Sequence, residues 1–208
     1  MELAEKLHIE PGITAVIGSG GKTTLLERLA DELSGTVVFA TSTRILPFPG
    51  IPTVACPPLP ARVSCVGEPA ENGKLAAPTC GFDALSAAAD YVLVEADGSR
   101  RLPLKAHAPW EPVIPDGSIQ TILVVGASGF GKPVGSAVHR PEIFCALAGC
   151  SADDTATPEL VARVIRSEAL ADRLLINQAD TPELMGLAHE LGEHVGLPYW
   201  AGSLQAGA

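Results

Sequence analysis

Aromatic side chains make up only 4% of this 208-residue chain, too few for the stacked rings on which a single-stranded nucleic-acid platform depends. Positive charge is also short. The 14 Lys and Arg against 24 Asp and Glu leave a formal net charge of -10, which repels a phosphate backbone, so nucleic acid is not an expected partner. No apolar run approaches the roughly 18 residues that cross a bilayer, and the opening "MELAEKLHIEPG" lacks the features of a signal peptide. No membrane partner is expected, and the expected location is cytoplasmic. The five cysteines (Cys56, Cys65, Cys80, Cys145, Cys150) form no C-x-x-C pair, and an odd number suits buried thiols in a reducing compartment better than a disulfide frame. Hydrophobic residues at 47% and charged residues at 18% are ordinary for a folded protein, and the length favours a single domain over 1–208. What the chain has in quantity is glycine, and an early glycine cluster dominates its chemistry.

Alternation of pattern sets the fold class. "ITAVIG" (13–18) is a short apolar, β-rich run, and "KTTLLERLADELSG" (22–35) places Leu25, Leu26, Leu29, Ala30 and Leu33 on one helical stripe ending at Gly35. "TVVFAT" (36–41) follows as a second buried strand, which completes a strand-helix-strand crossover. Prolines crowd the next section and leave only short strands near 52–56 and 62–66. Beyond it the pattern predicts a helix at 81–89, a strand at "DYVLVEADGS" (90–99) and a strand at "SIQTILVVGA" (118–127). Helices follow at "HRPEIFCALAG" and at "TPELVARVIRS", the latter capped by Thr157 with Pro158 at its first position. "RLLINQAD" (173–180) reads as a strand, "TPELMGLAHELGEHVG" as a capped helix and "LPYWAG" as a last short strand. The expected architecture is α/β: a doubly wound, three-layer fold with a mostly parallel central sheet, helices on both faces and ligands at the carboxyl ends of the strands.

"GSGGKTT" (18–24) sits where such a fold binds phosphate. The standard loop, G-x-x-x-x-G-K-[ST], would require glycine at position 16, and Val16 stands there. The physical requirements are nevertheless met: a tight turn after a buried strand, inward backbone N–H groups, a helix N-terminus and an adjacent lysine. Gly18, Ser19, Gly20, Gly21 and Thr24 would line the phosphates, Lys22 would reach the terminal ones, and the Thr23 hydroxyl would hold Mg2+. This loop, two residues shorter than the standard, resembles that of the Mur ligases. The bland alternative is a glycine-rich turn with a surface lysine.

A Mg-nucleotide site also needs a carboxylate at a strand end, and "YVLVEADGSR" supplies Glu95 and Asp97. Strand alternation predicts both on one side, with Glu95 on the ion and Asp97 on the attacking water, though two solvated turn carboxylates would look the same. "INQAD" carries Asn177 and Asp180, the outer members of N-K-x-D, with Gln178 in place of lysine. Asp180 would read guanine, while Asn177 would either bind the base edge or brace the loop; a polar turn capping the next helix is the alternative. Two lookalikes are dismissed. "GASGFGKP" (126–133) ends in a proline with neither hydroxyl nor N–H, and the histidines of "HELGEH" (189–194) are five apart, out of line on a helix.

"GSGGKTT", "TSTRILPFP", "VEADGSRRLPLKAHAPWEPVIP", "VHRPEIF" and "INQAD", in that order, resemble the YqeC-type proteins, accessory proteins associated with selenium-dependent molybdenum hydroxylases. The resemblance places the family's phosphate loop on Gly18 to Thr24, its acidic stretch on Glu95 to Arg100, and its third motif on Val138 to Glu142. It implies a P-loop NTPase-like fold and a bacterial cytosolic protein that makes or inserts a selenium-bearing molybdenum cofactor, with that cofactor or a hydroxylase apoprotein as partner. Thr43 and Arg44 are expected near the phosphates. Arg100, Lys105, His139 and Arg140 would hold a second anionic ligand such as a pterin phosphate, unless they are scattered solvated charges. Three functions stand: a Mg-dependent protein that binds and hydrolyses ATP or GTP, an ATP-dependent ligase or transferase acting on a small anion, and a non-catalytic carrier of a pterin-nucleotide cofactor.

Overall fold

The computed structural model describes residues 2 to 205. The chain is a mixed α/β protein with a large, mostly parallel main sheet flanked by helices, the class that the alternation predicts and one consistent with a P-loop NTPase-like fold. It divides into two compact units, one of Met1–Ile17, Thr23–Gly98 and Pro112–Thr121, the other of Gly18–Lys22, Ser99–Glu111 and Ile122–Ala208. Among the described residues no helix is long and apolar enough to cross a membrane.

In the first unit the strands are continuous runs of Val, Ile, Leu and Ala because both faces of a parallel sheet are covered. Tyr91–Glu95 lies between Gly12–Gly18 and Val37–Thr41, parallel to both, and Val37–Thr41 pairs on its other side with Val63–Val66. The register sets Val16 and Thr41 level with Glu95 at the carboxyl ends. Ile13, Val38, Ala40, Val66, Leu85, Val92 and Val94 form one core cluster. On the helix Lys22–Glu32, Leu25, Leu26 and Leu29 are fully buried, each contributing about 1.5–3 kcal/mol.

That helix ends three residues earlier than its pattern predicts. Gly35 does not take the left-handed turn that would carry the helix to it; instead Arg62 closes the end. Its Nη1 donates to Leu33 O (2.7 Å) and Gly35 O (3.2 Å), and its Nη2 to Ala30 O (3.0 Å). The proline-rich section holds the short strands Thr53–Val54 and Val63–Val66 near their expected places. It also holds a three-stranded antiparallel sheet of Arg44–Ile45, Leu75–Ala76 and Glu68–Pro69, pieces of two residues that carry no periodic signal.

In the second unit, Arg173–Asn177 runs parallel to the Ile122 to Gly126 part of Ser118–Gly126 and to Tyr199–Ala201. The helices Pro158–Glu168 and Pro182–Val195 begin as predicted. Thr157 Oγ1 accepts from Leu160 N, Thr181 Oγ1 accepts from Leu184 N, and proline occupies the first turn of each. Leu104–Lys105 forms a two-stranded parallel ladder with Val138–His139. Just past it, His107 N donates to Glu168 Oε1 (2.6 Å) and His107 Nδ1 lies 2.8 Å from Glu168 Oε2, fastening this segment to the Pro158–Glu168 helix.

All five cysteines are thiols, but the expectation that they are buried holds for Cys65 alone; the other four are half-buried. Burial pushes the Cys65 thiol up to about 11, which keeps it protonated and inert.

Candidate functional site

The glycine loop is built into the second unit by close backbone approach. Gly18, Gly20 and Gly21 have φ of +90°, +92° and +133°, a region that other residues avoid. A Cβ at Gly20 would run into the Gly126 backbone, and one at Gly21 into the Asn177 amide. Hydrogen bonds hold the turn in place: Ser19 N donates to Val124 O (2.9 Å) and Asn177 Nδ2 donates to Gly20 O (2.7 Å). Lys22 is buried, and its Nζ donates to Gly18 O (2.7 Å), so the ammonium folds back over the loop rather than extending into solvent. The buried Ser19 Oγ has no hydrogen-bond partner among the described residues.

In the first unit, Thr23 and Glu95 come together. Thr23 Oγ1 donates to Glu95 Oε2 at 3.4 Å, one side chain from the first turn of a helix and the other from the last residue of a strand. Thr24, next along, is half-buried. Thr41 Oγ1 donates to Glu95 O (2.8 Å) and accepts from Thr43 N (3.0 Å), which brings Thr43 to the same strand ends. Arg44 opens the small antiparallel sheet and is exposed. Asp97 lies just past the strand. The strand stops at Glu95, so alternation does not extend to Asp97, and this carboxyl is buried at 1% exposure while Glu95 is half-buried. The backbone between them is pinned, with Ala96 N donating to Val16 O and Ala96 O accepting from Val113 N, both at 3.0 Å.

Of the two roles the sequence offered Asn177, the geometry favours the brace. Both ends of the amide are engaged: Nδ2 on Gly20 O, and Oδ1 accepting from Leu204 N (2.9 Å). Gln178 has φ of +60° and accepts from Ser128 Oγ (2.6 Å), and Asp180 is exposed. Thr181, not Asp180, caps the helix that follows. "GASGFGKP" runs through a strand end and a short turn, and "HELGEH" lies within the Pro182–Val195 helix.

The basic residues of the second unit converge. Lys105 Nζ lies 3.0 Å and Arg140 Nη2 2.9 Å from the same Glu111 Oε2. The Arg140 guanidinium also sits 5.4 Å from the centre of the Trp110 ring. Glu111 and Trp110 are the members that sequence reasoning missed, although both stand in the quoted "KAHAPWEP" stretch. Burial opposes ionisation of Glu111, yet Lys105 and then Arg140 outweigh it and hold the carboxyl below the ordinary range. His139 is held below its ordinary value of 6.5 by burial first, then by the charges of Lys105, Arg140 and Arg100.

The His139 shift has a measurable consequence. With the folded value depressed, the unfolded chain binds the extra proton first, so stability falls as pH drops through 6.5 toward the folded value. Denaturant unfolding at a series of pH values should show this loss, and His139→Asn should flatten that part of the profile. An unchanged slope in the variant would refute the assignment.

The model of the family described as "YqeC protein" matches residues 14–142. The chain is also similar to "Uncharacterized protein YqeC" of Escherichia coli (strain K12), 36% identical over 163 residues, which are 70% of this chain and 64% of that protein. The match begins inside the first strand and runs through the glycine loop, the Glu95 strand end and the Glu111 cluster to the start of the Pro141–Ala148 helix. The chain belongs to the YqeC family.

Proposed function

We propose that the protein binds a Mg-nucleotide, ATP or GTP, through the loop 18–24, and hydrolyses it. The observation that carries this is the loop itself: three positive-φ glycines, two wedged against backbone and the third against the Asn177 amide, with the buried Lys22 ammonium folded over them and Asn177 holding their geometry. Backbone amides and Lys22 would neutralise the phosphates, and the Ser19 hydroxyl would gain its missing partner there. Thr23 and Glu95, a hydroxyl and a carboxylate already in contact, fit an ion that takes most of its oxygens from phosphate and water. Bound Mg2+ would offset charge on the phosphoryl group. Asp97, buried just past the strand end, would orient the attacking water.

The family suggests the setting: a cytoplasmic maturation factor for selenium-dependent molybdenum hydroxylases, with a molybdenum cofactor or an apoprotein as its partner. A second reading, an ATP-dependent ligase or transferase acting on a small anion, draws support from the Glu111 cluster, where the basic residues converge instead of scattering.

Thermal unfolding with Mg-ATP, Mg-GTP and each nucleotide without metal tests the proposal. A ligand at about 100 times its Kd adds roughly 2.7 kcal/mol of stability, which is readily seen. A Mg-dependent rise supports the nucleotide site, and turnover of the bound nucleotide separates an NTPase from a carrier. No rise with either nucleotide at millimolar concentration overturns it.

A further inference from the structure

We propose that Cys145 and Cys150 form a reversible oxidation site, a dithiol that a low-molecular-weight disulfide closes into an intramolecular bridge at the end of the Pro141–Ala148 helix. Their spacing in the sequence matches no thiol motif, and it is the way the helix ends that brings them together. Gly149 turns left-handed at φ of +70°, so that Gly149 N (2.9 Å) and Cys150 N (3.2 Å) both donate to Cys145 O. In a closure of this kind the residue that gives the carbonyl and the residue that gives the second N–H are neighbours, and their side chains commonly meet. Here both are cysteines.

The two are held in place before any bond forms. Cys145 lies within the helix, and Arg163 Nη1 donates to Ala148 O (3.1 Å) at its end. The chain after Cys150 is anchored in turn: Ser151 N donates to Asp154 Oδ2 (2.7 Å), Gly135 N to Ala152 O (2.8 Å) and Val134 N to Asp154 O (2.9 Å). The fold thus keeps the thiols side by side at high effective concentration. Both are half-buried, open to a small reagent as the fully buried Cys65 is not.

Burial first, then the Cys145 thiol beside it and the charge of Asp154, hold the Cys150 thiol above its ordinary value of 9.0, with Arg163 acting the other way. Cys145 is therefore the first to react. Its thiolate attacks one sulfur of the small disulfide, the S–S bond of that disulfide breaks, and one thiolate leaves. Cys150 then gives up its proton and attacks Cys145 Sγ, which expels the second thiolate. The two protein sulfurs lose two electrons, and the small disulfide is reduced to two thiols that carry away both protons. Because the surroundings do not stabilise a thiolate at Cys150, the reduced pair gains nothing from ionising, and the bridge it forms is a weak oxidant.

Glutathione disulfide is the probe, applied to the folded full chain and followed by acid quenching, alkylation of the remaining thiols and mass measurement of the peptide that holds both cysteines. That peptide should lose two hydrogens and take up no alkyl group, and dithiothreitol should restore both thiols. With equal millimolar concentrations of reduced and oxidised glutathione, the bridged form should exceed the open one by about tenfold or more. Cys150→Ser should stop the reaction at a mixed disulfide of Cys145 with glutathione, since the thiol that resolves it is gone. Bridging should also raise the unfolding temperature of the unaltered protein by constraining its unfolded chain, a rise that Cys150→Ser should lack. Two thiols still open to alkylation in the unaltered protein, glutathione retained on either cysteine in place of the bridge, or a bridge from either one to a different cysteine overturns the proposal.

Discussion

Lys22→Ala is expected to erase the Mg-nucleotide-dependent rise in unfolding temperature. The ammonium is 4% exposed and bonded to Gly18 O, so its position is set by the loop rather than by solvent. Hydrogen bonds to a charged partner contribute roughly 1.5–3 kcal/mol, and a lysine reaching two phosphates makes more than one, so affinity should fall by about a hundredfold or more. At a nucleotide concentration about 100 times the original Kd, the stabilisation of roughly 2.7 kcal/mol would shrink to a few tenths. Lys22→Arg should not restore it, because the longer planar fork does not fit where the ammonium meets a carbonyl of its own turn. A Lys22→Ala protein that keeps the full shift would show that the loop is only a turn.

Asn177→Ala should cost about 2–4 kcal/mol of stability and weaken both nucleotides alike. The side chain serves Gly20 O and Leu204 N at once, and its loss leaves a part-buried acceptor and a buried donor without partners, each at roughly 1–3 kcal/mol. Asn177→Asp should keep the bond from Leu204 N but set a carboxylate against Gly20 O, so it should rescue little. Chemical denaturation with titrations of Mg-ATP and Mg-GTP separates the two roles the sequence left open. A base reader would lose GTP selectively with stability intact, whereas a brace loses stability and both nucleotides.

The long elements were legible in the sequence because their signals are local. Thr157-Pro158 and Thr181-Pro182 mark helix starts by capping chemistry that needs nothing distant, and the Val-rich runs at 37–41 and 91–95 read as strands covered on both faces. The glycine loop was legible because tight turns and close backbone approach demand glycine itself. Illegible were features made by partners far along the chain. Nothing near Gly35 announces that Arg62 will take the helix carbonyls, and nothing near Asn177 says that its amide faces Gly20 and Leu204 instead of a base. Alternation does not reach Asp97 because the strand ends at Glu95, and the two-residue strands at 44–45, 68–69 and 75–76 are too short to show any period. The basic set was named in part, but Glu111, which holds Lys105 and Arg140 on one oxygen, emerged only when the fold brought it there.

The Arg62 closure bears on how the Lys22–Glu32 helix moves. Helices loosen from their ends, and here a single guanidinium fastens the Ala30 carbonyl of the last turn and the Leu33 and Gly35 carbonyls just past it. Fluctuation is thereby shifted toward the opposite end, where Lys22, Thr23 and Thr24 follow the glycines. Backbone amides should exchange with solvent fastest over that first turn and slowest near Leu29. The same turn would be the one that tightens and relaxes with each arrival and departure of phosphate, while the rest of the helix keeps still.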